Sequence, residues 1–309
     1  MSRLTLLRGD NLASLRALVA AGELFDLVEI DGPYGAGLES WDVLNEREYL
    51  AHYAERLQLV RRVLHPHGVV FLFGWPEGCA DLKVWCHNTE TLQLRRWLNW
   101  HVQSTKHAGR RIQTILLLIS PPTTQLLAEF RLWLRNRRRI MGLTVEQAHQ
   151  ATGIRPQARG GFLWFESETS RAPTREEYQL LQDFFTVPDS FNPLHGECSF
   201  TGLTDIDFIT VPVERATHLN VAGLRSKPMG LYEMLFRPVL PVVGERKALI
   251  LYGGSGNAGY VAGHLGYDVT LCESDPARCD LIVRQWDWHL HHRDRTPPED
   301  LGPLFASLG

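Results

Sequence analysis

Apolar and polar positions alternate along the chain in blocks that predict a βα pattern at both ends and a helical middle. Residues 3–7 form a strand-like run closed by Arg8-Gly9-Asp10-Asn11, and residues 12–21 carry a helical pattern. A strand follows at residues 26–30. Residues 48–64 place Leu50, Tyr53, Ala54, Leu57, Val60 and Leu64 on one face of an amphipathic helix. His65-Pro66-His67-Gly68 is expected to end that helix, and Val69–Phe73 to form an apolar strand. Gln113–Ile119 predicts another strand, stopped by Ser120-Pro121-Pro122. Residues 123–190 read as helical, first Arg-rich and then acid-rich, and a Gly/Pro/Asn-bearing stretch runs from Ser190 to Leu203. The βα pattern then returns. A strand at Lys247–Tyr252 leads through a glycine-rich turn, Gly253–Gly256, to a helix at Ala258–Leu265. A strand at Val269–Cys272 and a helix at Asp275–Trp286 close the series.

Strand and helix in alternation favour a parallel α/β sheet. The expected architecture is one sheet built from both ends of the chain, with a helical insertion. The expected division is residues 1–122, an inserted region at 123–215, and residues 216–309.

Composition changes little in this picture. A hydrophobic fraction of 44% and a charged fraction of 22% are those of a folded globular chain. No run of eighteen apolar residues is present, and Arg3, Arg8, Asp10 and Arg16 interrupt the N-terminal segment, so neither a membrane span nor a signal peptide is expected. The five cysteines show no paired metal spacing, which suits reduced thiols and a cytoplasmic compartment. Cys272 and Cys279 are expected to serve as small apolar residues. His289, His291 and His292 lack a carboxylate or cysteine at ligand spacing and are expected in a solvated tail.

Charge distribution matters more than the net value of -3. Between Arg95 and Arg139 there are ten cationic side chains and one acid, Glu129. Arg110, Arg111, Arg135, Arg137, Arg138 and Arg139 are the candidates for a phosphate-binding face, of the kind that meets a nucleic-acid backbone. A solvated helix surface would use the same residues. Trp97 and Trp100 within this stretch are expected to pack rather than to contact nucleic acid.

Two short stretches carry chemistry. "FDLVEIDGPYG" (Phe25–Gly35) ends an apolar strand in an acid, a glycine, a proline and an aromatic. Asp, Gly and Pro suffice for a turn; Tyr34 is surplus to it. "LILYGGSGNAG" (Leu249–Gly259) joins a strand to a helix, and its glycines let backbone N–H groups approach a ligand. The next strand ends in Glu273, placed to accept hydrogen bonds from ribose hydroxyls. Turn and acid together point to a nucleoside cofactor.

With "RGDN", "LHPHGVVFLFG", "SKPMGLYEMLFRPVL" and "VTLCESDPARCDLI", these stretches occur in the order found in the beta-type amino-methyltransferases of DNA bases, which the chain resembles over about residues 5–120 and 220–290. The resemblance implies a Rossmann-like S-adenosylmethionine methyltransferase sheet, S-adenosylmethionine as cofactor, and methyl transfer to an exocyclic amine, adenine N6 before cytosine N4. It further implies double-stranded DNA as partner and a phage or restriction-modification setting, with a homodimer or heteromeric partner left open. Asp31-Gly32-Pro33-Tyr34 matches the family's Asp-Pro-Pro-Tyr at three of four positions. By that match Asp31 and the carbonyl of residue 32 hold the amine, and Tyr34 stacks on a flipped base. Asp10 and Asn11 match the turn that holds the cofactor's adenine. Tyr252, Gly254, Ser255 and Gly256 match the glycine motif, Glu273 the ribose-binding acid, and Lys227-Pro228 the segment beside the cofactor's methionine end.

The departures are Gly32 for a proline, Ile250-Leu251 where Asp-Pro precedes the motif's aromatic, and Asn257-Ala258 for two threonines. They keep a second reading open: a non-catalytic DNA-binding or subunit protein on the same fold. In the insertion, residues 134–154 resemble the opening of a phage-repressor helix-turn-helix, with Thr144 and Gln147 as a capping box. Gly160-Gly161 then spoils a recognition helix. Phe162, Trp164 and Phe165 are expected in the insertion's own core.

Overall fold

The computed structural model describes residues 2–35, 44–101, 112–154, 165–166, 173, 175–188, 190–191, 208–211, 227–239 and 246–291. In chain order the elements are β1 (Leu4–Arg8), α1 (Asn11–Ala21), β2 (Phe25–Ile30), α2 (Glu46–Val63), β3 (Leu64–Gly74), α3 (Pro76–Thr89), β4 (Gln93–His101), β5 (Ile112–Ile119), α4 (Pro121–Ile140), α5 (Val145–Thr152), α6 (Arg175–Phe185), β6 (Phe208–Ile209), α7 (Met229–Phe236), β7 (Lys247–Ile250), α8 (Asn257–His264), β8 (Asp268–Glu273) and α9 (Pro276–His291).

The strands form one eight-stranded sheet in the order β1-β8-β7-β2-β3-β5-β4-β6. From β1 to β3 every pairing is parallel, while β5 runs antiparallel to both β3 and β4. The N-terminal strand thus lies beside the C-terminal one, as expected of a sheet built from both ends.

Alternation along the strands makes three layers. Leu27, Phe71, Phe73, Ile250 and Leu271 point to one face, where α7, α8 and α9 cover them with Leu231, Phe236, Tyr260 and Trp286. Val28, Ile30, Val70, Leu72 and Leu249 point to the other, under Leu15 of α1 and Tyr53, Leu57 and Val60 of α2. Because the five neighbouring strands are parallel, the carboxyl ends of β1, β8, β7, β2 and β3 open on the same edge. In an open α/β sheet that edge is where ligands bind.

Several expectations are corrected. Helix α2 stops at Val63, and His65–Gly68 belong to β3. The pairing with β2 then skips from Leu64 to Val69, an irregularity that absorbs the Pro-Gly turn residues within the strand. Helix α3 and strand β4 were not anticipated. In α3 only Cys79, Leu82 and Cys86 are buried, an apolar face too thin to read from pattern, and the arginines of β4 obscured its strand character. His289 and His291 lie on α9, whose backbone extends past Trp286, and His292 lies outside the described residues.

The inserted helices have a core of their own. Leu127, Phe130 and Leu134 of α4 pack with Ala148, Ile154, Phe165, Tyr178, Leu181 and Phe185. Phe165 therefore sits where expected, whereas Phe162, Trp164 and the segment bearing Gly160-Gly161 lie outside the described residues. Thr144 and Gln147 form the anticipated capping box on α5, a device worth about 1 kcal/mol.

Candidate active site

Strand β2 is buried along its whole length and delivers Asp31 to the carboxyl edge, its side chain 20% exposed. Three residues on, Tyr34 returns to it, and its hydroxyl donates to Asp31 Oδ1. Lys227, at the entrance to α7, is 7% exposed; its ammonium forms an ion pair with the same carboxylate oxygen and donates to Tyr34 Oη at 2.7 Å. The ammonium also lies 4.8 Å from the centroid of the Phe73 ring and 5.2 Å from that of Tyr34. A buried lysine requires such partners, because an uncompensated charge there would cost several kcal/mol. The Tyr34 ring meets Trp75 edge-on at 5.7 Å. Burial, and then the Asp31 charge, push the Tyr34 hydroxyl well above its ordinary pKa, so it stays a donor.

Gly32 has a local reason to be glycine. A Cβ there would stand 2.6 Å from two ring atoms of Tyr252 and 2.8 Å from the Tyr53 hydroxyl. The loop is thus clamped by aromatics from the turn after β7 and from α2, and the Tyr53 hydroxyl donates to the Pro33 carbonyl at 3.0 Å. The flexibility expected from losing a proline is offset by packing.

Tyr252 also joins a second cluster. Its hydroxyl lies 2.6 Å from His52 Nε2. Burial, and then the nearby Arg56, lower the His52 pKa to about 4, so near neutral pH its ring is uncharged and can accept. Arg56 donates from Nε to Asn11 Oδ1 at 2.8 Å and from Nη1 to the His52 carbonyl at 3.0 Å. Its other nitrogen stands 3.5 Å from Asp10. Asn11 in turn donates to the Leu251 carbonyl at 2.9 Å. Asn11 is therefore turned into protein contacts, while Asp10, 61% exposed, faces solvent at the edge.

The glycine turn and the acid meet as expected. Glu273 accepts from Gly254 N at 2.7 Å with one oxygen and from Asp275 N at 2.8 Å with the other. Gly254 adopts φ +52°, and nothing lies within 4 Å of where its Cβ would be. Ser255 is buried in the same turn, and Gly256 at φ +86° leads into α8. Asn257 donates to the Lys227 carbonyl at 2.9 Å, and its buried Oδ1 has no partner among the described residues. Ile250 and Leu251 are core residues on opposite faces of the sheet.

The structure brings Asp31, Gly32, Pro33, Tyr34, Lys227, Tyr252, Gly254, Ser255, Gly256, Glu273, Asp10 and Asn11 to one edge of the sheet. Lys227 stands on Asp31, a placement the sequence did not suggest. Glu29, His52, Arg56, Trp75, Tyr232 and Asn257 were missed. Glu29 alone left a visible signal, an acid inside an apolar strand.

The basic candidates do not form a single set. Arg110 and Arg111 lie outside the described residues. Arg138 is 12% exposed and grips Glu166 with two nitrogens at 2.5 and 2.8 Å, so its charge is spent inside the helical unit. Arg135 donates to the Glu166 carbonyl at 2.7 Å. Arg137 and Arg139 are exposed, although Arg137 donates to the Phe185 carbonyl at 3.3 Å. Trp100 is buried and Trp97 packs against the core. Cys272 and Cys279 are buried free thiols. Among the described residues no cluster suits a metal ion, and no helix is long and apolar enough to cross a membrane. An open groove of about 750 Å³ runs along β1 and α1, lined by Arg3, Thr5, Arg8 and Asp268. None of the converging side chains lines it, so the site is defined by its chemistry and not by that concavity.

Comparison with known proteins follows the same division. Residues 25–142, which contain Asp31–Tyr34, match the family described as DNA methylase, of the N6/N4 type. No curated protein sequence matches the chain. Among solved structures, a protein of Thermus thermophilus described as a DNA modification methylase, in complex with S-adenosyl-L-methionine, aligns over 94% of this chain and 95% of its own, with 17% identity and a TM-score of 0.53. The cytosine-N4-specific PvuII DNA methyltransferase aligns over 94% of each chain, with 12% identity and a TM-score of 0.52. At such identities the likeness is one of fold. Residues 25–142 match the DNA methylase family, and the chain shares, nearly end to end, the fold of these solved DNA methyltransferase structures.

Proposed function

We propose that the protein transfers a methyl group from S-adenosylmethionine to an exocyclic amine of a DNA base, with adenine N6 as the target. The observation that carries this reading is the meeting of Asp31, Tyr34 and Lys227, drawn from separate parts of the chain, beside the Gly254 turn. The residues present suit the cofactor. Open space over Gly254, the unpartnered Oδ1 of Asn257 and the remaining lone pairs of Glu273 offer a cradle for a nucleoside and its polar arm. Bound there, S-adenosylmethionine supplies an electrophilic methyl group.

The chain's own residues supply the rest. An exocyclic amine is a weak nucleophile because its lone pair is delocalised into the ring. Asp31 accepts an N–H bond from it, localises the lone pair, and supports the positive charge that grows on nitrogen as the methyl arrives. The surplus proton leaves along the Asp31 hydrogen bond. Tyr34 offers a ring on which a flipped base can stack, already oriented by Trp75. Exposed Arg137 and Arg139 contribute to phosphate contact.

One observation favours the second reading, a non-catalytic protein on this fold: Asp31 Oδ1 is already taken by both Lys227 and Tyr34. The decisive experiment incubates protein with labelled S-adenosylmethionine and mixed-sequence duplex DNA, then separates the nucleosides. N6-methyladenine is the expected product. N4-methylcytosine would move the target to cytosine, and micromolar cofactor binding without any methylated base would favour the non-catalytic reading.

A further inference from the structure

Glu29 lies on β2, two residues before Asp31, which follows the last residue of the strand. Residues two apart on a strand share a face, so Glu29 sits between Leu27 and Asp31 on the side covered by α7. It is fully buried, in the middle of the sheet, with Ile250 of β7 on one flank and Phe71 of β3 on the other. Among the described residues neither of its carboxyl oxygens makes a hydrogen bond of good geometry. The Tyr232 ring of α7 meets Phe73 edge-on at 5.8 Å, the ring over which the Lys227 ammonium lies, and the Tyr232 hydroxyl interacts with both Glu29 and Asp31.

A carboxyl placed deep in a sheet with so few donors is costly to ionise. It has no structural task that a leucine would not perform better. What it has is an address: one hydroxyl away from Asp31, and within the field of Lys227.

We propose that Glu29 is a positioning residue of the Asp31 cluster, acting through the Tyr232 hydroxyl so that the Asp31 carboxylate stays aimed at the amine. The charged and titratable groups facing it are Asp31 just past the end of its own strand, Lys227 before α7 and Tyr232 on α7; its β3 and β7 neighbours are apolar. Burial, reinforced by the Asp31 charge and only partly opposed by Lys227, keeps its carboxyl protonated well above the ordinary carboxylate range. The cluster then holds one cation, one anion and one neutral acid, a balanced set for a buried site. Only the activity arm of the test rests on the methyltransferase reading.

The linkage has a definite sign. The native state keeps this proton where the unfolded chain has lost it, from about pH 4.5 upward. Stability from this group is therefore fully present below that pH and declines as pH rises. Wild type and Glu29→Gln are compared by thermal unfolding from pH 5 to 9, alone and in an Asp31→Asn background. The amide copies the neutral acid, so Glu29→Gln gains on wild type as pH rises, and the gain shrinks once the Asp31 charge is gone. Parallel curves, or a gain indifferent to Asp31, would overturn the proposal. In methyl transfer, Glu29→Gln keeps kcat within about threefold of wild type while Glu29→Leu lowers it tenfold or more at unchanged KM for S-adenosylmethionine. Equal effects of the two substitutions would also overturn it. Absence of activity in wild type itself would sink the methyltransferase reading instead, and the unfolding curves would still decide the place of Glu29.

Discussion

Two strand ends on the same edge of the sheet each present an acid, and they hold it differently. At the end of β8, Glu273 is bound through both oxygens by backbone N–H groups from its own neighbourhood, Gly254 and Asp275. At the end of β2, Asp31 is held by side chains, Tyr34 from the next turn and Lys227 from far along the chain. Backbone donors cannot move without unfolding the turn, so Glu273 is fixed in place. Side-chain donors can exchange partners, which is what an acid needs if it must meet a substrate amine and then release it.

The contrast can be broken most severely at Gly32. Gly32→Pro restores the family's usual residue, yet its ring would occupy the space of Tyr252 and Tyr53. Overpacking of this kind costs about 1–3 kcal/mol or more, and the variant is expected to show a clear drop in unfolding midpoint, relieved in part by adding Tyr252→Leu. An unchanged midpoint would mean that the aromatic clamp yields freely.

Next in size is Arg138→Ala, which leaves Glu166 with the long 4.0 Å ion pair to Arg135. Breaking a largely buried pair costs about 3–5 kcal/mol when nothing relaxes, and about 2 kcal/mol is expected here because solvent reaches part of the site. Chemical denaturation should show it as a loss confined to the insertion. Glu273→Gln should cost about 1–3 kcal/mol, since an amide NH₂ would face a backbone N–H, and should weaken S-adenosylmethionine about tenfold by calorimetry. Retained affinity would assign the ribose elsewhere. The smallest change is Arg139→Ala: stability within about 0.5 kcal/mol of wild type, with the salt dependence of DNA affinity reduced by about one unit of slope. A variant that binds DNA as wild type does would remove α4 from the DNA face.

The same contrast explains what the sequence disclosed. The Glu273 site is local: strand, glycine turn, strand and acid lie within one βα unit, and hydrophobic alternation with turn chemistry suffices to find them. The two-ended sheet was legible because its strands are continuous apolar runs. Asp31 was legible as a residue, its surroundings were not. Lys227, Tyr232 and Arg56 reach their partners only through tertiary packing, and no spacing rule links position 31 with 227. Gly32 looked like a lapse in a motif because the reason for it, the Tyr252 ring, comes from the turn after β7, far along the chain. The arginines of α4 looked alike in sequence; only the fold separates Arg138, bound to Glu166, from exposed Arg139. Strand β4 and helix α3 escaped because weak apolar faces and clustered charge concealed them.

The most direct test of the central claim is single-turnover transfer of labelled methyl from S-adenosylmethionine to duplex DNA, comparing wild type with Asp31→Asn. The account predicts transfer by wild type, a loss of at least about 100-fold in the variant, and cofactor affinity within about threefold of wild type. Equal transfer by the two proteins would contradict it.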